Sequence, residues 1–216
     1  MQLYKNMLYF RDLGLINYSE GLKQQEYYKK LVNDGIYKGA FLFLEHTPVY
    51  TIGKKNKKNE QYYDYLRKIA EVYFVDRGGD ITFHGPGQLV IYPILNLSYW
   101  NKDLHLYLRA LEEVVIIMLK KYNIISGRKA KYTGVWVGNE KICSIGIACR
   151  NWITWHGLAL NVDVNLDYFD YIVPCGIREF GVTSFKKLGF ETSIDDVKAH
   201  IKYSLNEVFS KDAVYS

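Results

Sequence analysis

Apolar residues along this chain follow two rhythms. In some stretches they recur every three or four positions, as helices require. Residues 19–32, SEGLKQQEYYKKLV, open on Ser19, a residue type that caps helices, and stop before Asn33-Asp34-Gly35. Residues 103–122 place Leu104, Leu108, Leu111, Val115, Met118 and Tyr122 at helical spacing. Near the C-terminus Ile194, Val197, Ile201, Leu205 and Val208 form one stripe behind Ser193 and Asp196, the two arms of a capping box. YYDYLRKIAEV (62–72) also reads as helical.

Elsewhere the apolar runs are short, rich in β-branched residues and bounded by turn formers. GAFLFLEHTPVYTIG (39–53) reads as one or two strands, and VYFVD (72–76) and QLVIYPILNL (88–97) as one each. YTGVWVGNEKICSIGIACR (132–150) reads as a hairpin turning at Gly138-Asn139, and WHGLALNVDV (155–164) as a strand that begins near His156. Strands outnumber helices and cluster between them. The expected fold is α+β, a single domain over residues 1–216 with helices flanking a mixed, largely antiparallel sheet.

Composition narrows the function classes. Apolar residues make up 49% and charged residues 24% of the 216, a globular balance that buries a substantial core without staples. The net charge of +5 gives a mild preference for acidic partners, but the basic residues are scattered and form no stripe that would bind nucleic acid. No apolar run reaches the length of a bilayer span and the first residues lack a leader pattern, so a soluble, unexported chain is expected. Cys143, Cys149 and Cys175 show neither CxxC nor metal-ligand spacing, which points to reduced thiols in a cytoplasm-like compartment.

Candidate chemistry gathers in four places. RGGDITFHGPGQL (77–89) puts four glycines beside Arg77 and His84 between two strands. Such backbone either satisfies tight turns or lets N–H groups approach an anion. It lacks the GK[ST] of a phosphate loop and the helix that follows a dinucleotide fingerprint. Cys143 and Cys149 share strand parity with Ile145 and Ile147 and belong to an apolar face, whereas Cys175, between Pro174 and Gly176, suits an exposed turn as well as a buried apolar site. Lys141 follows the hairpin turn. Strict alternation puts it on the face of Cys143, so a functional Lys141 requires a cavity at the strand end or a bulge that re-aims it. Ser144, Gly146 and Ala148 alternate on one face, either as a slot for a thin substrate or as a close-packing surface. His156 has a structural reading by default, and KKNKKN (54–59) is a solvated loop or a patch for an acidic protein.

Together RGGDITFHGPGQL, NEKICSIGIACR, HGLALNV and PCGIREFGVTS, in this order and at these separations, resemble the lipoyl(octanoyl) transferase family over most of the chain. The resemblance implies the fold of the catalytic domain of biotin and lipoate ligases. It implies transfer of an octanoyl group from octanoyl-acyl carrier protein to a lipoyl-domain lysine, on 2-oxoacid dehydrogenase complexes or the glycine cleavage H protein, by a cytoplasmic monomer with no cofactor, metal, nucleic acid or membrane partner. It maps the nucleophile onto Cys175, the acid/base onto Lys141 and a further catalytic group onto His84. Substrate contacts fall to Arg77, Gly78, Gly79, Thr82, Gly85, Gly87, Gln88, Ser144, Ile145, Gly146, His156, Gly157 and Ala159. Two rival activities remain at this point. An ATP-dependent ligase of the same fold needs no thiol, so the Pro-Cys-Gly element points away from it; a thioesterase would deliver the acyl group to water.

Overall fold

The computed structural model describes residues 8–55, 60–172 and 180–209, without the side chains of 60–62. Strand β1 (Leu8–Ile16) leads into helix α1 (Tyr18–Asn33), which crosses back so that β2 (Gly39–His46) pairs with β1 in parallel. A short turn then leads into β3 (Val49–Ile52), and a 3₁₀ helix over Glu60–Lys68 precedes β4 (Glu71–Phe74) and β5 (Ile81–His84). These three strands form a small sheet in the order β4–β3–β5. The chain rejoins the main sheet at β6 (Gln88–Leu95), runs through α2 (Leu104–Lys120) and adds β7 (Gly127–Lys129), β8 (Tyr132–Val137), β9 (Glu140–Arg150) and β10 (Ile153–Asn161). Strand β11 (Gly181–Val182) and α3 (Ile194–Phe209) complete the described fold.

The main sheet has eight strands in the order β1–β2–β6–β10–β9–β8–β7, with β11 beside β9. Its pairs are antiparallel except β1 with β2 and β11 with β9, so the mixed, largely antiparallel α+β fold expected from the pattern is the one observed. Alternation sends Phe41, Phe43, Leu89, Ile91, Leu158, Leu160 and Cys143 into a core shared with α2 and α3. Burial of each large apolar side chain contributes roughly 1.5–3 kcal/mol. Leu42, Leu44, Val90, Tyr92 and Ala159 face the other way, where α1 adds Tyr28 and Val32.

Several expectations are corrected in detail. Asn17 caps α1 in place of Ser19, its side chain accepting the Glu20 N–H at 2.8 Å. The buried stripe of α2 runs through Tyr107, Leu111, Val114, Val115 and Met118, leaving Leu104 exposed, and Leu108 borders a cavity. Residues 77–89 are no simple connection, because Ile81–His84 pair antiparallel with Val49–Ile52. The Ser193–Asp196 capping box is present, with the Asp196 N–H donating to Ser193 Oγ at 3.1 Å. No described helix is long and apolar enough to cross a membrane.

One irregularity positions a site residue. Pro93 in central strand β6 has no N–H to give, and the β6–β10 register stops at Leu158↔Ile91. Beyond it His156 adopts φ +56°, mid-strand rather than at a strand start, and its N–H donates to Gln25 Oε1 at 2.8 Å. Gly157 is required there: a Cβ would lie 2.2 Å from Ile91 O and 2.4 Å from Pro93 Cδ. Thr154 bridges the gap, accepting the Leu95 N–H at 3.1 Å and donating to Pro93 O at 3.0 Å.

Candidate active site

A narrow cavity of about 60 Å³ lies between the small sheet and the face of the main sheet left uncovered by α1. Neighbouring strands present small residues to it. Ala159 of β10 pairs with Ser144 of β9 and with Val90 of β6, and in the next row Gly157 pairs with Gly146. Ser144 and Gly146 therefore do line a slot, whereas Ala148 does not border it. Gly146 serves packing as well, since a Cβ there would meet Gly78 O at 3.1 Å.

The Arg77–Gly79 loop closes one side. Gly78 N–H donates to Ile147 O at 2.9 Å, and Gly79 takes φ +84°. Arg77 is buried and spends its guanidinium on the protein, donating from Nη2 to Thr51 O at 2.6 Å and Thr51 Oγ1 at 3.0 Å, and from Nη1 to Gly78 O at 3.0 Å. From Arg77 a directional chain of hydrogen bonds crosses the cavity wall. Gln88 Nε2 donates to Phe83 O at 3.3 Å and to Asn161 Oδ1 at 2.9 Å, so its Oε1 must face His84. His84 Nδ1–H donates to that oxygen at 2.7 Å, leaving Nε2 to accept from Thr51 Oγ1 at 3.3 Å. Asn161 Nδ2 then donates to Thr183 O at 2.9 Å, and Thr183 N–H to Lys141 O at 3.0 Å. Burial, with His46 adding to it, pushes His84 down to about 3, so the ring is neutral.

Lys141 lies where the β8–β9 register slips. Val135 pairs with Cys143 and the next residue, Trp136, with Lys141, so β9 carries one extra residue. The bulge breaks the alternation that ties Lys141 to Cys143, and Lys141 lines the cavity at only 6% exposure, its ammonium 4.7 Å from the Trp136 ring centroid. Gly134, at φ +128°, is required by the bulge itself, since a Cβ there would lie 2.6 Å from Cys143 O. Fully buried Glu112 holds that strand by accepting the Gly134 N–H at 3.0 Å, and is itself bonded by Arg109 at 2.6 Å and Arg128 at 3.0 Å.

Two further histidines flank the site. His156 is neutral because burial outweighs the attraction of Asp76, to which its Nε2–H donates at 2.8 Å. That bond is the main reason the Asp76 carboxyl lies well below the usual carboxylate range. His46 donates from Nδ1 to Ile16 O at 3.1 Å and so accepts the Tyr92 hydroxyl at Nε2, 2.7 Å away; burial pushes it down to about 4.

The structure brings Arg77, Gly78, Gly79, Thr82, His84, Lys141, Ser144, Ile145, Gly146, His156, Gly157 and Ala159 to one cavity. Gly85, Gly87 and Gln88 stand behind the wall. A Cβ at Gly85 would meet the Phe83 ring at 2.7 Å, and Gly87, at φ +84°, packs on the Asp163 backbone, so these two glycines serve the turn. Cys175 and residues 56–59 of the basic run lie outside the described residues. Burial raises the thiols of fully buried Cys143 and half-buried Cys149. Sequence reasoning missed Tyr18, Tyr92 and Asp80 on the wall, and Thr51, Asn161 and Thr183 behind it. Asn161 did leave a signal, a polar residue at the strand parity of Gly157 and Ala159; Tyr18 left none.

A second cavity, of about 310 Å³, meets the first at Gly78–Asp80, Lys141, Ile145 and Gly146. The Lys141 ammonium thus stands where a narrow compartment joins a wider one.

Residues 17–206 match the family model for the lipoyl protein ligase A/B catalytic domain. The octanoyltransferase of Caldanaerobacter subterraneus subsp. tengcongensis is 54% identical over 204 residues, covering 91% of this chain and 88% of that protein. Among solved structures, lipoate-protein ligase A bound with ATP superposes with a TM-score of 0.74 at 16% identity over 95% of this chain and 85% of that one. The biotin protein ligase of Aquifex aeolicus in complex with biotin and ATP gives 0.57 at 14% identity over 94% and 71%. The fold expected from the resemblance is therefore the fold observed. With a match that takes in both sheets, the small-residue slot and the bulged lysine, the chain belongs to the lipoyl protein ligase A/B catalytic-domain family.

Proposed function

We propose that this chain is an octanoyltransferase of protein lipoylation, moving an octanoyl group from octanoyl-acyl carrier protein to a lysine of a lipoyl domain through a thioester on Cys175. The observation that carries this reading is the buried Lys141 at the junction of a narrow, small-residue-lined cavity with a wider one. The highly similar octanoyltransferase supplies the acyl class.

In the first half-reaction Lys141 takes the Cys175 proton and the thiolate attacks the carbonyl of the donor thioester. The carrier's sulfur leaves and receives the proton back from the Lys141 ammonium. In the second, the incoming amine attacks the Cys175 thioester, passes a proton to Lys141 and releases the Cys175 thiolate. With the Gly78 N–H already given to Ile147 O, the backbone N–H of Gly79 is the candidate in this loop for stabilising the oxyanion. His84 is neutral with both nitrogens bonded, so its role in this scheme is to hold Thr51, Arg77 and Gln88 in place. The thiol chemistry requires a reducing compartment such as the cytoplasm.

Incubation with octanoyl-acyl carrier protein alone is expected to leave a hydroxylamine-sensitive octanoyl adduct on Cys175, located by tandem mass spectrometry. Addition of an apo lipoyl domain without nucleotide should discharge it. Cys175→Ala should abolish adduct and transfer, Cys143→Ala should retain both, and Lys141→Ala should slow each half-reaction by about 10²–10⁴-fold. Strict dependence on ATP would move the chain to the ligase reading, which the ATP-bound structural neighbour favours.

A further inference from the structure

The wider cavity has a wall chemistry that the acyl transfer itself does not use. Lys55 stands on one side, its backbone tied to the glycine loop by a bond from its N–H to Gly79 O at 3.3 Å. Lys131 stands on the β7–β8 turn, next to Tyr132 and Thr133 of the wall. Both lysines are exposed, and neither has an ion-pair partner among the described residues. Some lysines elsewhere are matched, Lys186 to Asp163 at 2.7 Å and Lys187 to Glu140 at 2.6 Å, and others such as Lys68, Lys102 and Lys120 are not, among the described residues; what sets Lys55 and Lys131 apart is that both line this one cavity. The wall's one acid, Asp80, is buried and accepts the Ile81 N–H at 2.7 Å. Two exposed lysines on the wall of one groove, without ion-pair partners among the described residues, suit an anion.

Two groups must reach Lys141 from outside, the donor's thioester arm and the acceptor's lysine. The acceptor is a cation before it reacts, and Lys55 and Lys131 repel it. The donor arm of an acyl carrier protein is pantetheine ending in a phosphate ester. Its amides match a groove lined by loop backbone and Thr133, and its phosphate is the anion the lysines lack.

Resting on the function proposed above, we propose that the second cavity seats the phosphopantetheine arm of the donor, and that Lys55 and Lys131 bind its phosphate. The cavity then sorts the two substrates by charge, holding the donor arm and releasing it once the thioester has been exchanged.

The test compares S-octanoyl-phosphopantetheine with S-octanoyl-pantetheine, donors that differ only in the phosphate, as acylating agents of the full chain. The wild-type protein should prefer the phosphorylated donor in kcat/KM. In Lys55→Ala/Lys131→Ala that preference should fall by about tenfold, the combined effect of two exposed charge pairs, and octanoyl-acyl carrier protein should lose as much as the phosphorylated donor. A ratio unchanged by the double substitution overturns the proposal, including the case in which both donors slow together. A loss confined to the intact carrier protein also overturns it, by assigning the lysines to the carrier's surface. Acylation of the wild-type chain by none of the three donors would refute the octanoyl-transfer reading itself.

Discussion

Strands β6, β9 and β10 supply both faces of the main sheet, and the two faces are filled in opposite ways. Toward α2 and α3 the register stacks Ile91, Leu158 and Ile145 in one row and Leu89, Leu160 and Cys143 in the next. On the other face the rows read Val90, Ala159 and Ser144, then Gly157 and Gly146, with Gln88 and Asn161 paired at the end. Backbone geometry is common to both, since each strand contributes alternate residues to each. The cavity is thus made by subtraction of side-chain volume, and the row of amides, Gln88 and Asn161, stands behind its wall.

The comparison breaks most visibly through substitutions at adjacent positions of β10. Leu160→Ala on the filled face should cost about 2–5 kcal/mol of stability in urea unfolding, because the surrounding core cannot fully close over the lost volume. Acylation of the folded fraction should change by less than about threefold, and a larger loss would mean that the core face also shapes the cavity.

The hollow face carries the histidines, which gives it a pH signature. His84 and His46 lie at about 3 and about 4 in the folded chain, below the ordinary value of 6.5. Between those values and 6.5 the unfolded chain binds protons that the folded chain does not. The stability they contribute is therefore fully present above pH 6.5 and is lost as pH falls from there to about 4 for His46 and about 3 for His84, on the order of 3–5 kcal/mol per histidine. His46→Gln, which keeps a polar partner for Tyr92, should flatten the urea midpoint against pH over this range; an unchanged slope would exclude His46 as a source.

The smallest effect sharpens the comparison. Ala159→Val adds volume at a buried position and should cost about 1–3 kcal/mol of stability. It should lower kcat/KM for the octanoyl donor by about tenfold while sparing a butanoyl donor, a loss of roughly 1.4 kcal/mol of transition-state stabilisation. Equal losses for both donors would show that Ala159 does not border the acyl chain.

Much of this was legible in the chain. Period-two alternation announced β9 with its small residues Ser144 and Gly146, the Gly138-Asn139 turn set the β8–β9 hairpin, and residues 155–164 announced β10. The Ser193–Asp196 box marked the start of α3. The strand Ile81–His84 was hidden because its four residues are flanked by glycines that read as loop. Asn17 and Ser19 are both legitimate caps, and local chemistry does not choose between them.

What the sequence by itself determined about this protein is local: where the chain is helical or extended, which residues share a face, and which motifs place it beside the octanoyltransferases. Those follow from interactions within a few residues, which every copy of the segment carries wherever it sits. What only the tertiary structure decided is non-local. The aim of Lys141 depends on a register slip against β8, where only a residue without a Cβ fits at Gly134 beside Cys143 O. The neutrality of His84 depends on burial between two sheets, with His46 and Arg77 from other segments adding to it against the opposing bond to Gln88. The bond from Asn161 to Thr183, and through it to the backbone of Lys141, spans segments that meet only when the sheet has formed. Pairing across a sheet is set by the sum of all the packing around it, and no single segment encodes that sum.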